Sequence, residues 1–114
     1  MSDLSEKQFK FTRLVSKLMQ FAWDNGYELK FGDAFRDPRA FGEMGKVISY
    51  GHPKSAHKQR LAIDLLLFKN GAWLTKTEDY KTLGVFWEGL DSDCRWGGRF
   101  ADGNHFSIEI NGIK

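Results

Sequence analysis

The sequence predicts an α+β domain, a small and mainly antiparallel sheet with helices packed on it. Three observations carry that reading. The chain opens with a helical stripe of apolar residues, and its middle holds an apolar run, LAIDLLLF, interrupted by one carboxylate. It closes on an alternating segment, HFSIEI. At 114 residues, one domain over 1–114 is expected.

The elements follow in order. Ser5 and Gln8 read as a capping box, and Leu4 with Phe9 as a hydrophobic staple. Phe11, Leu14, Val15, Leu18, Met19 and Ala22 then recur at helical spacing, and Asn25-Gly26 stops the helix, which is predicted over 6–25. Residues 27–31 alternate as a short strand. Gly32 to Pro38 is a turn region carrying Arg36. A helical turn within 37–46, an extended 47–50 and a loop over 51–56 come next. Leu61 to Phe68 reads as a central strand buried on both faces. Asn70-Gly71 signals a hairpin whose return strand is 72–74. Tyr80, Leu83, Phe86, Trp87 and Leu90 mark a second helix over 77–90, and 92–101 is a Trp/Gly/Arg-rich loop. His105 to Ile110 is the last strand, with Phe106, Ile108 and Ile110 on one face.

Composition narrows the function. Seventeen basic and fifteen acidic residues give a net charge of +2, too balanced for a dedicated nucleic-acid binder. The balance describes an ordinary solvated surface. Ten Phe and four Trp supply a core. A single cysteine, Cys94, excludes an intrachain disulfide and reads as an inert free thiol. The N-terminus lacks a basic stretch followed by an apolar run, and no stretch is long enough to span a membrane.

Asp64 is the residue least at home in its surroundings. A carboxylate among apolar neighbours is costly unless hydrogen-bonded, paired or bound to a cation. It either accepts hydrogen bonds from loop amides or ligates a metal. His57 precedes it by seven residues. On one helix the two would stand about 10 Å apart along the axis. On one straight strand they would face opposite ways. A shared metal therefore requires a bend, and Lys58-Gln59-Arg60 is polar enough to make one. His105 points with Ser107 and Glu109, away from the apolar face of its strand. If that strand pairs near Asp64, two histidines and a carboxylate converge, the open coordination of a catalytic zinc. Asp102, three residues before His105, stands where a general base for the water would.

The pattern Ser55-x-His57-x-x-Arg60-x-Ala62-x-Asp64 resembles the Ser-x-His-x-x-Gly-x-Ala-x-Asp signature of the D-alanyl-D-alanine carboxypeptidase-like zinc peptidases. That group includes D-Ala-D-Ala dipeptidases and phage L-alanyl-D-glutamate endopeptidases. Asp102-x-x-His105-Phe106 is similar to the family's second signature, and Trp96-Gly97-Gly98 ahead of it matches as well. The resemblance implies that His57, Asp64 and His105 hold Zn2+, that Asp102 is the catalytic base, and that Arg36 is the substrate-side arginine. Arg36 otherwise reads as an ion-pair partner of Asp33 or Asp37. Ser55 either hydrogen-bonds within the metal loop or caps a turn. Trp96 either walls the substrate cleft or packs in the core. His52 reads as a surface loop residue. Arg60 departs from the family glycine, which implies a loop built differently.

The function so implied is zinc-dependent hydrolysis of a stem-peptide bond of bacterial peptidoglycan, L-Ala–D-Glu in a phage endolysin. The alternatives are a D-Ala-D-Ala carboxypeptidase and a non-catalytic wall-binding or virion protein. The expected partners are stem peptides, with no nucleic acid and no membrane insertion, and the expected state is a monomer. The expected location is the host cytoplasm, with release to the wall at lysis.

Overall fold

The first helix, α1 (Asp3–Asp24), forms around the stripe read from the sequence, and it buries Phe11, Leu14, Val15, Leu18 and Ala22. The computed structural model describes residues 3–32 and 59–110. The expected turn carrying Arg36, helical turn, extended segment and loop between 33 and 56 lie outside the described residues. Asn25-Gly26 ends α1 as anticipated. Gly26 takes φ +84°, Tyr27 N donates to Ala22 O at 3.0 Å, and Gly26 N donates to Trp23 O at 3.1 Å. This paired closure satisfies two carbonyls that a helix end leaves open.

The start of α1 differs from the reading. The helix reaches back to Asp3, so Ser5 lies inside it rather than at its start. Asp3 and Glu6 place negative charge in the first turn, where the helix dipole favours it. Gln8 turns outward and donates to Gln59 O at 2.8 Å. Phe9 is exposed, so the hydrophobic staple does not form.

The sheet is built on one long strand. β1 (Glu28–Phe31), β2 (Ala62–Lys69), β3 (Ala72–Leu74), β4 (Cys94–Trp96) and β5 (His105–Ile108) pair in the order β1-β2-β5-β4, with β3 also on β2. Every pairing among the described residues is antiparallel. β2 pairs with β5 through residues 62–64 and with β3 through 67–69. Between those stretches Tyr80 completes the edge. Its hydroxyl accepts from Leu67 N at 3.0 Å and donates to Leu74 O at 2.7 Å. The β2–β3 hairpin turns through Asn70 and Gly71, at φ +53° and +80°. Two left-handed residues in a row suit a turn that follows the strand twist.

Alternation along β2 and β5 separates two faces. Ile63, Leu65, Leu67, Phe106 and Ile108 form the core face with α1 and with α2 (Lys81–Leu90). Trp87 of α2 is fully buried, edge-on to Phe11 and Phe106 at centroid separations of 5.9 and 6.1 Å. Its indole N–H reaches Ser107 O at 2.9 Å and Arg95 O at 3.1 Å, which ties α2 to both β5 and β4. The other face carries Ala62, Asp64, Leu66 and Phe68. Leu66 and Phe68 are only partly buried, so β2 is not covered on both faces along its length.

Two further expectations change. The helix over 77–90 begins as a 3-10 turn, Thr77–Tyr80, before α2 takes over. The loop expected over 92–101 holds β4 and a second 3-10 turn, Gly97–Phe100. Cys-Arg-Trp is too short for alternation to show, and the strand exists because β5 is there to pair with it. Cys94 is buried, and burial followed by the nearby Asp91 charge pushes its thiol up to about 12, so it stays protonated. No helix among the described residues is long and apolar enough to cross a membrane.

Lysines of α1 hold the turn before β4. Lys10 Nζ lies 3.0 Å from Asp91 and 3.4 Å from Asp93, and Lys7 Nζ lies 3.1 Å from Asp93. The Asp93 backbone N–H and then Lys10 hold Asp91 below its ordinary pKa, and the Lys7 hydrogen bond does the same for Asp93. Groups depressed in the folded state stabilise it above their unfolded pKa, and that stability is lost as the pH falls through the folded value. Lys10→Ala is expected to lower stability at neutral pH by at most about 1 kcal/mol, since these pairs are partly exposed. In urea unfolding followed against pH, the deficit should vanish as the pH drops well below 3.8, where both carboxylates protonate.

Candidate metal centre

Asp64 is the third residue of β2, and its direct partner across the sheet is His105, the first residue of β5. Direct partners share a face, so the two side chains meet on the side away from the core. His105 Nδ1 lies 3.3 Å from Asp64 Oδ1, with side-chain exposures of 14% and 19%. The backbone on both sides of Asp64 is held. Gly32 N donates to Asp64 O at 2.7 Å, and Leu65 N donates to Asn104 O at 2.9 Å. A Cβ at Gly32 would stand 3.0 Å from both Asp64 Cβ and Asp64 O, so glycine allows β1 to approach this closely. The sequence reading passed over Gly32, which looked like an ordinary turn residue.

Next along the same face is Ser107, opposite Ala62. Its hydroxyl oxygen is buried and has no hydrogen-bond partner. A buried unsatisfied hydroxyl costs roughly 1–3 kcal/mol. A largely buried carboxylate, an imidazole and this hydroxyl therefore line one strip of an otherwise apolar strand pair. Carboxylate oxygen and imidazole nitrogen are donors that zinc accepts, and Asp64 and His105 fit as two of its ligands. Among the described residues no group of three or more His, Cys, Asp or Glu gathers for a metal. His57, Ser55, His52 and Arg36 lie outside the described residues.

Asp102 is exposed in the loop entering β5, and its carbonyl accepts from His105 N at 3.1 Å. That turn fixes the backbone of Asp102 against the start of β5. The Trp96-Gly97-Gly98 motif builds the loop. Trp96 is only 5% exposed, and its indole N–H donates to Gly103 O at 2.7 Å. Glycines flank its ring, since a Cβ at Gly84 or Gly98 would stand 2.1 or 2.2 Å from indole atoms. A Cβ at Gly97 would stand 2.3 Å from Asp102 O and 2.7 Å from His105 Cβ. Gly103 N donates to Thr77 Oγ1 at 3.3 Å, anchoring the loop to the 3-10 turn. Trp96 thus packs inside and holds the Asp102 loop from beneath.

Arg60, which replaces the glycine of the signature, has φ +59°. This left-handed backbone is the one glycine adopts freely and other residues adopt at a cost. Arginine thus occupies a backbone conformation that glycine adopts freely. Arg60→Gly should be tolerated without loss of stability. Arg60→Val, β-branched and poorly suited to positive φ, should lose about 1–2 kcal/mol in chemical denaturation. Trp96→Phe should lose about 1–3 kcal/mol, because the buried Gly103 carbonyl is left without its donor.

Comparison with known proteins places this geometry. A family model described as D-alanyl-D-alanine carboxypeptidase matches residues 50–108. Among solved structures, the L-Ala D-Glu endopeptidase ChiX of Serratia marcescens superposes with a TM-score of 0.71 at 18% sequence identity. The match covers 88% of this chain and 78% of that one, and at this identity it concerns the fold. The search of curated proteins found no match. The matched segment is more than half of the chain and contains both signatures, from Ser55 to Asp64 and from Asp102 to Phe106: the chain belongs to the D-alanyl-D-alanine carboxypeptidase family.

Proposed function

We propose that this protein is a zinc-dependent peptidase of the bacterial cell wall that hydrolyses a stem-peptide bond of peptidoglycan. The observation that carries the reading is the Asp64–His105 pair on one sheet face, with Asp102 on the hydrogen-bonded turn three residues ahead of His105. His57, Asp64 and His105 are assigned to hold the zinc. Family membership and the matching motif positions support that assignment.

Bound there, zinc would supply the Lewis acidity that activates a water and polarises the scissile carbonyl. Asp102 takes the proton the attacking water gives up and returns it to the leaving amine. Its exposure and its position on a hydrogen-bonded turn suit a group that must meet solvent and substrate. Arg36, by its place in the motif, is assigned the carbonyl oxygen as negative charge develops on it. Ser55 is assigned to the metal loop.

The favoured bond is L-Ala–D-Glu. The motif likeness to phage endopeptidases supports it, and ChiX, which shares the fold, is itself an L-Ala D-Glu endopeptidase. The same likeness favours a lysis enzyme, held inside the host until the membrane opens, as the biological setting. A D-Ala-D-Ala carboxypeptidase is the second reading, favoured by the description of the matched family.

The test combines zinc content with clearing of outer-membrane-stripped cells, with and without a chelator. One equivalent of zinc and chelator-sensitive clearing are expected, and mass spectrometry of the released peptides identifies the bond. His57→Ala should lose both zinc and activity, and Asp102→Ala should keep zinc and lose at least about 100-fold in turnover. Full turnover by Asp102→Ala would remove Asp102 from the role of base.

A further inference from the structure

A cleft of about 320 Å³ opens beside Asp102 on the β3 side of β2. Leu66, Trp73, Thr75, Thr77, Asp102 and Asn104 line it. Trp73 pairs with Phe68 across the hairpin, so it stands on the same sheet face as Asp64. It is 58% exposed, so its indole face is open to a ligand in the cleft. Phe68 lies four residues beyond Asp64, which places the Trp73 row about 13 Å along the strand from the Asp64–His105 pair. Asn104, beside His105, joins the cleft to that pair.

The chemistry of the lining selects the ligand. An exposed indole offers a flat apolar face, and threonine hydroxyls and an asparagine amide offer neutral donors and acceptors. Among the described residues lining this cleft, Asp102 is the one that is charged, and it is negative. The D-Glu and later residues of a stem peptide carry free carboxylates, which Asp102 would repel. The amino-sugar disaccharide is neutral once its lactyl carboxylate is joined to the peptide. It presents apolar C–H faces together with hydroxyl and acetamido groups.

We infer that this cleft is a saccharide subsite, in which Trp73 stacks on an N-acetylated amino sugar of the glycan while the peptide extends the other way across Asp64 and His105. The inference rests on the peptidase reading. It makes the preferred substrate a peptide still attached to its disaccharide, and it makes Trp73 a determinant of that preference.

The test compares kcat/KM of the zinc-loaded full chain on a free stem peptide and on the same peptide linked to its disaccharide. In parallel, the disaccharide with its lactyl carboxylate amidated is titrated into the zinc-loaded full chain while the Trp73 indole N–H resonance is followed. The wild type should favour the linked substrate, and Trp73→Ala should reduce the ratio of the two kcat/KM values about tenfold. Trp73→Phe, which keeps a stacking face, should retain most of the ratio. The disaccharide should shift the Trp73 resonance. An unchanged ratio in Trp73→Ala, or no shift with the disaccharide, overturns the inference. If the wild type cleaves neither substrate, the peptidase reading fails, and the titration alone decides the subsite: a shift upholds it and its absence overturns it.

Discussion

The register of β2 against β5 is the constraint on which the site depends. Asp64 opposes His105 because Ala62 opposes Ser107 and Ile63 opposes Phe106. A slip of one residue would send every side chain of one strand to the other face. The apolar set forbids that slip. Ile63, Leu65, Phe106 and Ile108 are all buried on the core face, and exposing them would cost on the order of 1.5–3 kcal/mol each. Hydrogen bonds reinforce the register from outside the ladder: Ile108 N donates to Leu61 O, and the Trp87 indole donates to Ser107 O. The core face thus specifies the polar face.

That division explains how a carboxylate is tolerated in the middle of an apolar strand. Asp64 points away from the core, toward His105, and its backbone neighbours are fully engaged. The strip it shares with His105 and Ser107 is largely buried and polar. Stability comes instead from α1, α2 and the buried aromatics on the other side. A rigid core supporting a polar face can hold ligating groups in place more closely than a loop can.

Glycines do the corresponding work at the Asp102 loop. Gly84 and Gly98 make room for the Trp96 ring, Gly97 lets the chain pass against Asp102 and His105, and Gly103 packs on Thr77. The Trp96 indole and the Thr77 hydroxyl both anchor the resulting loop through Gly103. The arrangement gives a physical reason for the Trp-Gly-Gly sequence ahead of the second signature: tryptophan supplies the anchor, and the glycines allow the approach. Arg60 shows the complementary case, a left-handed backbone carried by a residue other than glycine.

Much of this was legible in the sequence because it is written in local periodicity. The α1 stripe, the Asn25-Gly26 stop, the Asn70-Gly71 hairpin and the alternation of β5 depend on near neighbours, and each is found. So is the anomaly of Asp64, which stands out against its apolar run. Other features were decided only by residues distant in sequence. β4 exists because β5 pairs with it, and Gly32 matters because β1 passes against Asp64. Trp96 is buried because α2 packs over it through Gly84, and the cleft walled by Trp73 exists only once the hairpin stands beside the loop before β5. Spacing along the chain could nominate Asp64 and His105, forty-one residues apart, as partners. Only the antiparallel register, chosen by burial of the opposite face, placed one across from the other.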